Sequence, residues 1–90
     1  MATTNKDRAI EFRRVTIEMA RGRRWKSDCE SREDFEAGQR EAIDLARREM
    51  AALSSLAADA TMADVYRALL TVSPGDATWT ARLAALEVAS

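Results

Sequence analysis

Few side chains in this chain are equipped for chemistry: one thiol, Cys29, fifteen carboxylates and no histidine in ninety residues. Without histidine the chain lacks the usual general base near neutral pH, the commonest metal ligand and the usual partner of a serine or cysteine nucleophile. Cys29 follows Arg24 and Lys26 and stands near an expected helix start, both of which lower a thiol pKa. A lone thiol with no base beside it is nonetheless expected to be an incidental small residue. The carboxylates of the middle third alternate with arginines at helical spacing, which suits ion pairing better than acid catalysis or metal binding. No glycine-rich phosphate loop and no Cys/His metal spacing occurs. The expectation is a non-enzymatic protein with no catalytic residues, no metal site and no cofactor.

The densest charge lies in Arg21–Asp34, RGRRWKSDCESRED, where four cations surround Trp25 and acids follow directly. From Lys6 to Lys26 there are eight cations against three acids, and from Asp28 to Glu49 eight acids against four cations. Cations closing one helix and acids opening the next are where each macrodipole favours them. That accounts for the acids. Arg13 and Arg14 are mid-helix, beyond the reach of a terminal dipole, and call for another explanation.

The elements that must position these residues are helical. Eighteen alanines stand against three glycines and one proline, a composition that favours helix over strand. The spacing predicts a first helix from about Asn5, as N-cap, to about Trp25. At about 100° per residue, Phe12, Val15 and Met19 share one face, with Ala9, Thr16 and Ala20 beside them. Ile10 and Ile17 form a second apolar line well round from the first, flanked by Arg13, Arg14, Arg21 and Arg24.

A second helix is predicted from Ser31, with Asp34 at the third helical position, or one turn earlier from Ser27 with Glu30. Phe35, Ala42, Ala46 and Leu53 form its stripe, widened by Leu45, Met50 and Leu56. Glu36, Arg40, Asp44 and Arg48 make a ladder of alternating sign on its far side. A third helix follows Thr61, with Met62, Val65, Tyr66, Leu69 and Leu70 as its apolar side. Ser73-Pro74-Gly75-Asp76 predicts a fourth start, with Ser73 as cap and Trp79, Leu83 and Leu86 as the apolar line. The fold expected is all-α: one domain over residues 1–90, a small bundle of about four helices, two long followed by two short. Phe35, Leu53, Leu69, Trp79 and Leu83 are the expected core. No apolar run reaches the roughly 20 residues of a membrane span, and the first residues lack a signal peptide's apolar stretch. With a single cysteine, a cytoplasmic location and no membrane partner are expected.

Protein is the expected partner, either an acidic surface or a second copy of the chain. The partner-binding residues on this reading are Ile10, Arg13, Arg14, Ile17, Arg21, Arg24 and Trp25: apolar anchors edged by guanidinium forks that can grip carboxylates. The alternative is that Ile10 and Ile17 pack on the third or fourth helix while the arginines reach out to water. Nucleic acid is the competing partner, through the cluster Arg21, Arg23, Arg24 and Lys26 with Trp25 as a stacking ring. Tyr66 to Gly75 also resembles the middle of a bacterial helix-turn-helix, which would imply DNA binding. Thr71 stands where such turns usually carry glycine, and the would-be recognition helix has Arg82 as its only cation.

Arginine outnumbers lysine twelve to two, and with the alanine excess this is the residue usage of a GC-rich bacterial or phage coding sequence. In size and usage the chain resembles the small accessory proteins of bacteriophages, among them anti-CRISPR inhibitors of host machinery. The resemblance implies inhibition or modulation of a host protein by direct binding, with a phage structural or assembly role as the alternative.

Overall fold

The computed structural model describes residues 3–26 and 31–89. Four helices follow one another, α1 (Asn5–Gly22), α2 (Arg32–Ser54), α3 (Met62–Val72) and α4 (Ala77–Ala89), with no strand among the described residues. Two long helices are followed by two short ones, as the spacing predicts.

Side-chain caps define the starts. Thr4, Ser31 and Thr61 each accept from the backbone N–H three residues on, where an aspartate stands each time. The first cap is therefore Thr4 rather than Asn5, whose side chain is used elsewhere: Asn5 Nδ2 donates to the Ala60 carbonyl at 3.2 Å. The alternative start at Ser27 and Glu30 lies outside the described residues, as does Cys29. At Thr61 the box closes both ways, the Thr61 backbone N–H donating to Asp64 Oδ2 at 3.1 Å. That N–H first, then the Thr61 side chain and Arg67, hold the Asp64 carboxyl below the usual aspartate range. A depressed folded-state pKa favours folding above the unfolded-state value, and this contribution fades as pH falls through the lowered one. The fourth start differs from expectation. Ser73 closes α3, and Asp76 caps α4, its Oδ1 accepting from Thr78 N at 2.8 Å and Trp79 N at 3.2 Å. A carboxylate reaching two free N–H groups serves there better than a hydroxyl three residues earlier.

α1 and α2 form an antiparallel pair. Lys6 Nζ donates to the Ser54 and Leu56 carbonyls at the end of α2, while Gln39 Nε2 donates to the Ala20 carbonyl at the other end of α1. α3 packs against the close of α2 and the start of α1, and α4 packs on α3. The core gathers where these meet: Ala9, Leu53, Val65, Ala68 and Leu69, with Ile10, Ala52, Leu56, Tyr66 and Trp79 against them. Leu53 and Leu69 are sealed off as expected, and Trp79 is half-buried on the cluster. Phe35 and Leu83 are half-buried outside it: the cluster draws on the last part of α2 rather than its beginning, and α4 brings only Trp79 to it. No helix is long and apolar enough to cross a membrane among the described residues.

Leu53→Ala and Leu69→Ala should each cost about 2–5 kcal/mol, the usual range for truncating a fully buried leucine. Phe12→Ala, on an exposed face, should stay within about 0.5 kcal/mol. Urea denaturation of the three variants measures both.

Candidate functional site

The first helix carries the residues of interest, and the structure reverses its two faces. The buried residues of α1 are Ala9, Arg13, Ile17 and Ala20. Spaced four, four and three apart, they are one helical stripe. At about 100° per residue, Arg13 lies at its centre, between the alanines on one side and the isoleucine line on the other. Ile17 is only 9% exposed, and Ile10 packs against the core cluster. The isoleucine seam is therefore interior in this protomer, not a contact face. Its arginines divide: Arg13 is buried, whereas Arg14, Arg21 and Arg24 are exposed.

Arg13 can be buried because its charge is met. It is 7% exposed, and its Nη2 lies 3.6 Å from Glu49 Oε2 across the α1–α2 interface, with both side chains largely out of water. Its Nη1 donates to the Ala9 carbonyl at 3.3 Å, and its guanidinium carbon lies 5.4 Å from the Phe12 ring centroid and 5.6 Å from that of Trp79. No buried side-chain nitrogen or oxygen lacks a partner among the described residues. A hydropathy reading places such a residue outside. The available clue was Glu49, which stands apart from the solvated ladder on α2; pairing it with Arg13 required knowing the helix register.

With that stripe turned inward, the other apolar line is left outside. Phe12 is 65% exposed, Met19 68% and Val15 42%. These three sit at i, i+3 and i+7, so they form one contiguous ridge along α1. Arg8 lies on the same ridge one turn before Phe12. Arg14 pairs with Glu11 at 3.1 Å, both well exposed. Beyond the ridge, Arg21, Arg23, Arg24 and Lys26 are all exposed and pair with no carboxylate among the described residues. Trp25 stands among them, 41% exposed.

Of the expected ladder on α2, Arg48 pairs with Asp44 at 3.4 Å, Glu36 pairs instead with Arg32 at 3.2 Å, and Arg40 joins no ion pair among the described residues. All of these side chains are on the exposed side. No group of three or more His, Cys, Asp or Glu side chains that could hold a metal ion occurs among the described residues. No protein-family model, curated protein or solved structure matches the chain.

Replacing both Ile10 and Ile17 by aspartate should unfold the protein, since unpaired carboxylates would enter its interior. The Arg13–Glu49 pair makes a sharper forecast. Glu49→Leu alone should cost about 3–5 kcal/mol by leaving a buried guanidinium unpaired, whereas Arg13→Met with Glu49→Leu should recover most of that loss. Denaturant melts of the two single variants and the double give the coupling directly.

Proposed function

We propose that this chain is a non-enzymatic protein-binding module that works by covering or modulating a partner protein, with the outer face of α1 as its contact surface. One observation carries the reading: in a domain where half of the buried described residues are alanines, a phenylalanine and a methionine are left about two-thirds exposed on one ridge. Large apolar side chains at adjoining positions are costly to leave in water and are the usual anchors of protein interfaces. Phe12, Val15 and Met19 replace Ile10 and Ile17 as its centre, with Arg8 on the same ridge. Arg14 and Arg21, proposed with the isoleucine line, lie more than a quarter turn from that ridge and leave the surface, while Arg24 and Trp25 follow the end of α1. Arg13 moves from contact residue to support, holding α1 against α2 behind the ridge. The small-accessory-protein style of the sequence favours an inhibitor or modulator of a host protein, which needs no chemistry beyond occupying a surface.

Nucleic acid is a second reading, favoured by the exposed cations Arg21, Arg23, Arg24 and Lys26 with Trp25. Binding through such a cluster weakens steeply with salt because each neutralised phosphate releases counterions.

Two measurements separate these readings. Val15→Asp with Met19→Asp should leave the thermal melt nearly unchanged, because both side chains are already exposed, and should abolish capture of proteins from a bacterial lysate. DNA and RNA should be retained only weakly at physiological ionic strength. Tight nucleic-acid binding there, lost on replacing Arg21, Arg23 and Arg24 by alanine, would reverse the assignment.

A further inference from the structure

Beside the ridge on α1, α3 and α4 leave a cleft of roughly 460 Å³. It exists because α4 packs on α3 and does not close against α1. The volume falls within the range of ordinary binding clefts. Its apolar walls are Phe12 from α1, Met62, Val65 and Tyr66 from α3, and Trp79 from α4, with Tyr66 and Trp79 stacked at a centroid distance of 5.9 Å. Its charged groups are Arg8, Arg13 and Arg82, and no carboxylate lines it.

This electrostatic arrangement is lopsided in a chain of net charge −1. Glu49 answers Arg13 from behind the cleft. Arg8 and Arg82 are exposed and pair with no carboxylate among the described residues. Arg82 lies 5.3 Å from the Trp79 ring centroid, and Arg13 lies 5.6 Å from the same ring. With Arg13 answered by Glu49, Arg8 and Arg82 are the cleft's charges open to an incoming anion. Glu11 and Glu18 lie roughly a third of a turn round α1 from Phe12, on the flank away from the cleft.

The outer face of α1 tells how long the occupant is. Phe12 belongs both to the cleft and to the ridge that continues through Val15 to Met19. From Arg8 to Met19 this surface runs about 16 Å, or three helical turns. A compact small molecule would fill the cleft and leave the ridge bare. A helix of similar length would cover both.

Resting on the reading of the chain as a protein-binding module, we propose that the cleft between α1, α3 and α4 receives an acidic amphipathic helix of a partner protein. Two or three apolar side chains of that helix lie on Phe12, Met62, Tyr66 and Trp79. Its carboxylates meet Arg8 and Arg82. Guanidinium forks suit carboxylates because they can hold both oxygens. Apolar contact gives the affinity, and the charge selects the partner and its orientation.

The experiment uses the full chain with Trp25→Phe, so that Trp79 is the only fluorophore of its kind, and three synthetic helical peptides about four turns long. All share one leucine stripe and are flanked by glutamate, glutamine or lysine. The glutamate peptide should perturb Trp79 emission and bind on the order of tenfold tighter than the glutamine peptide, with the lysine peptide weakest. The charge reversal Arg8→Glu with Arg82→Glu should invert that order while keeping a native melt. Arg8→Glu alone, which touches no aromatic stack, should reduce the preference on its own.

Equal binding of all three peptides, no binding of any, or a glutamate preference that survives charge reversal would overturn the proposal. So would dodecanoate perturbing Trp79 as strongly as the glutamate peptide does, since a small amphiphile would then suffice. Concentration-dependent self-association of the wild type, lost on charge reversal, would overturn it in favour of a second copy. The wider reading fails separately: peptides that do not bind, alongside lysate capture that still depends on Val15 and Met19, would sink the cleft and leave the module.

Discussion

The ion pair between Arg13 and Glu49 decides how this protein is put together. It stands at the centre of the buried stripe of α1, where a guanidinium out of water is tolerated only with an opposite charge and hydrogen bonds around it. Satisfying Arg13 sets which way α1 is rotated against α2, and that rotation sets everything on the helix's other side. Ile10 and Ile17 go in because they flank Arg13. Phe12, Val15 and Met19 stay out because they lie roughly a quarter to a half turn away.

Alanine makes this arrangement feasible. Ala9, Ala20, Ala46, Ala60 and Ala68 are all buried. Small residues let helices approach closely, so few large side chains are needed to fill the interior, and Leu53, Val65 and Leu69 supply most of the sealed volume. The consequence is a modest core with its larger aromatics near the surface. Trp79 joins the two halves: it packs on the core cluster, stacks with Tyr66 and receives guanidiniums from α1 and α4. α4 otherwise packs on α3, where Arg67 also meets Glu87 at 3.8 Å.

The surface proposed for recognition is built on a single helix. Its apolar ridge lies on a rigid helix held from behind by a charge pair, so its geometry does not depend on loop order. Cations stand at both ends of α1, Arg8 beside the cleft, Arg21 in the last turn and Arg23, Arg24 and Lys26 beyond it. On the proposed reading, that distribution is what would favour an acidic partner over a basic one.

How much of this was legible beforehand varies with the physics involved. Helix number, order and approximate bounds were written locally, since caps such as Ser31 with Asp34 and Thr61 with Asp64 act over three residues and apolar spacing needs no partner. Leu53 and Leu69 were recognisable as core for the same reason. The site was only half legible: the sequence alone determined that α1 has two apolar lines and more of them than one neighbour can cover. Which line faces inward was decided by tertiary structure, because it depends on Glu49, thirty-six residues from Arg13, arriving at the right height on an antiparallel helix. Hydropathy ranks arginine as an outward residue, and only a partner brought from elsewhere in the chain can overrule that ranking. The cleft has the same origin, since its walls come from three helices and its emptiness from α4 failing to reach α1.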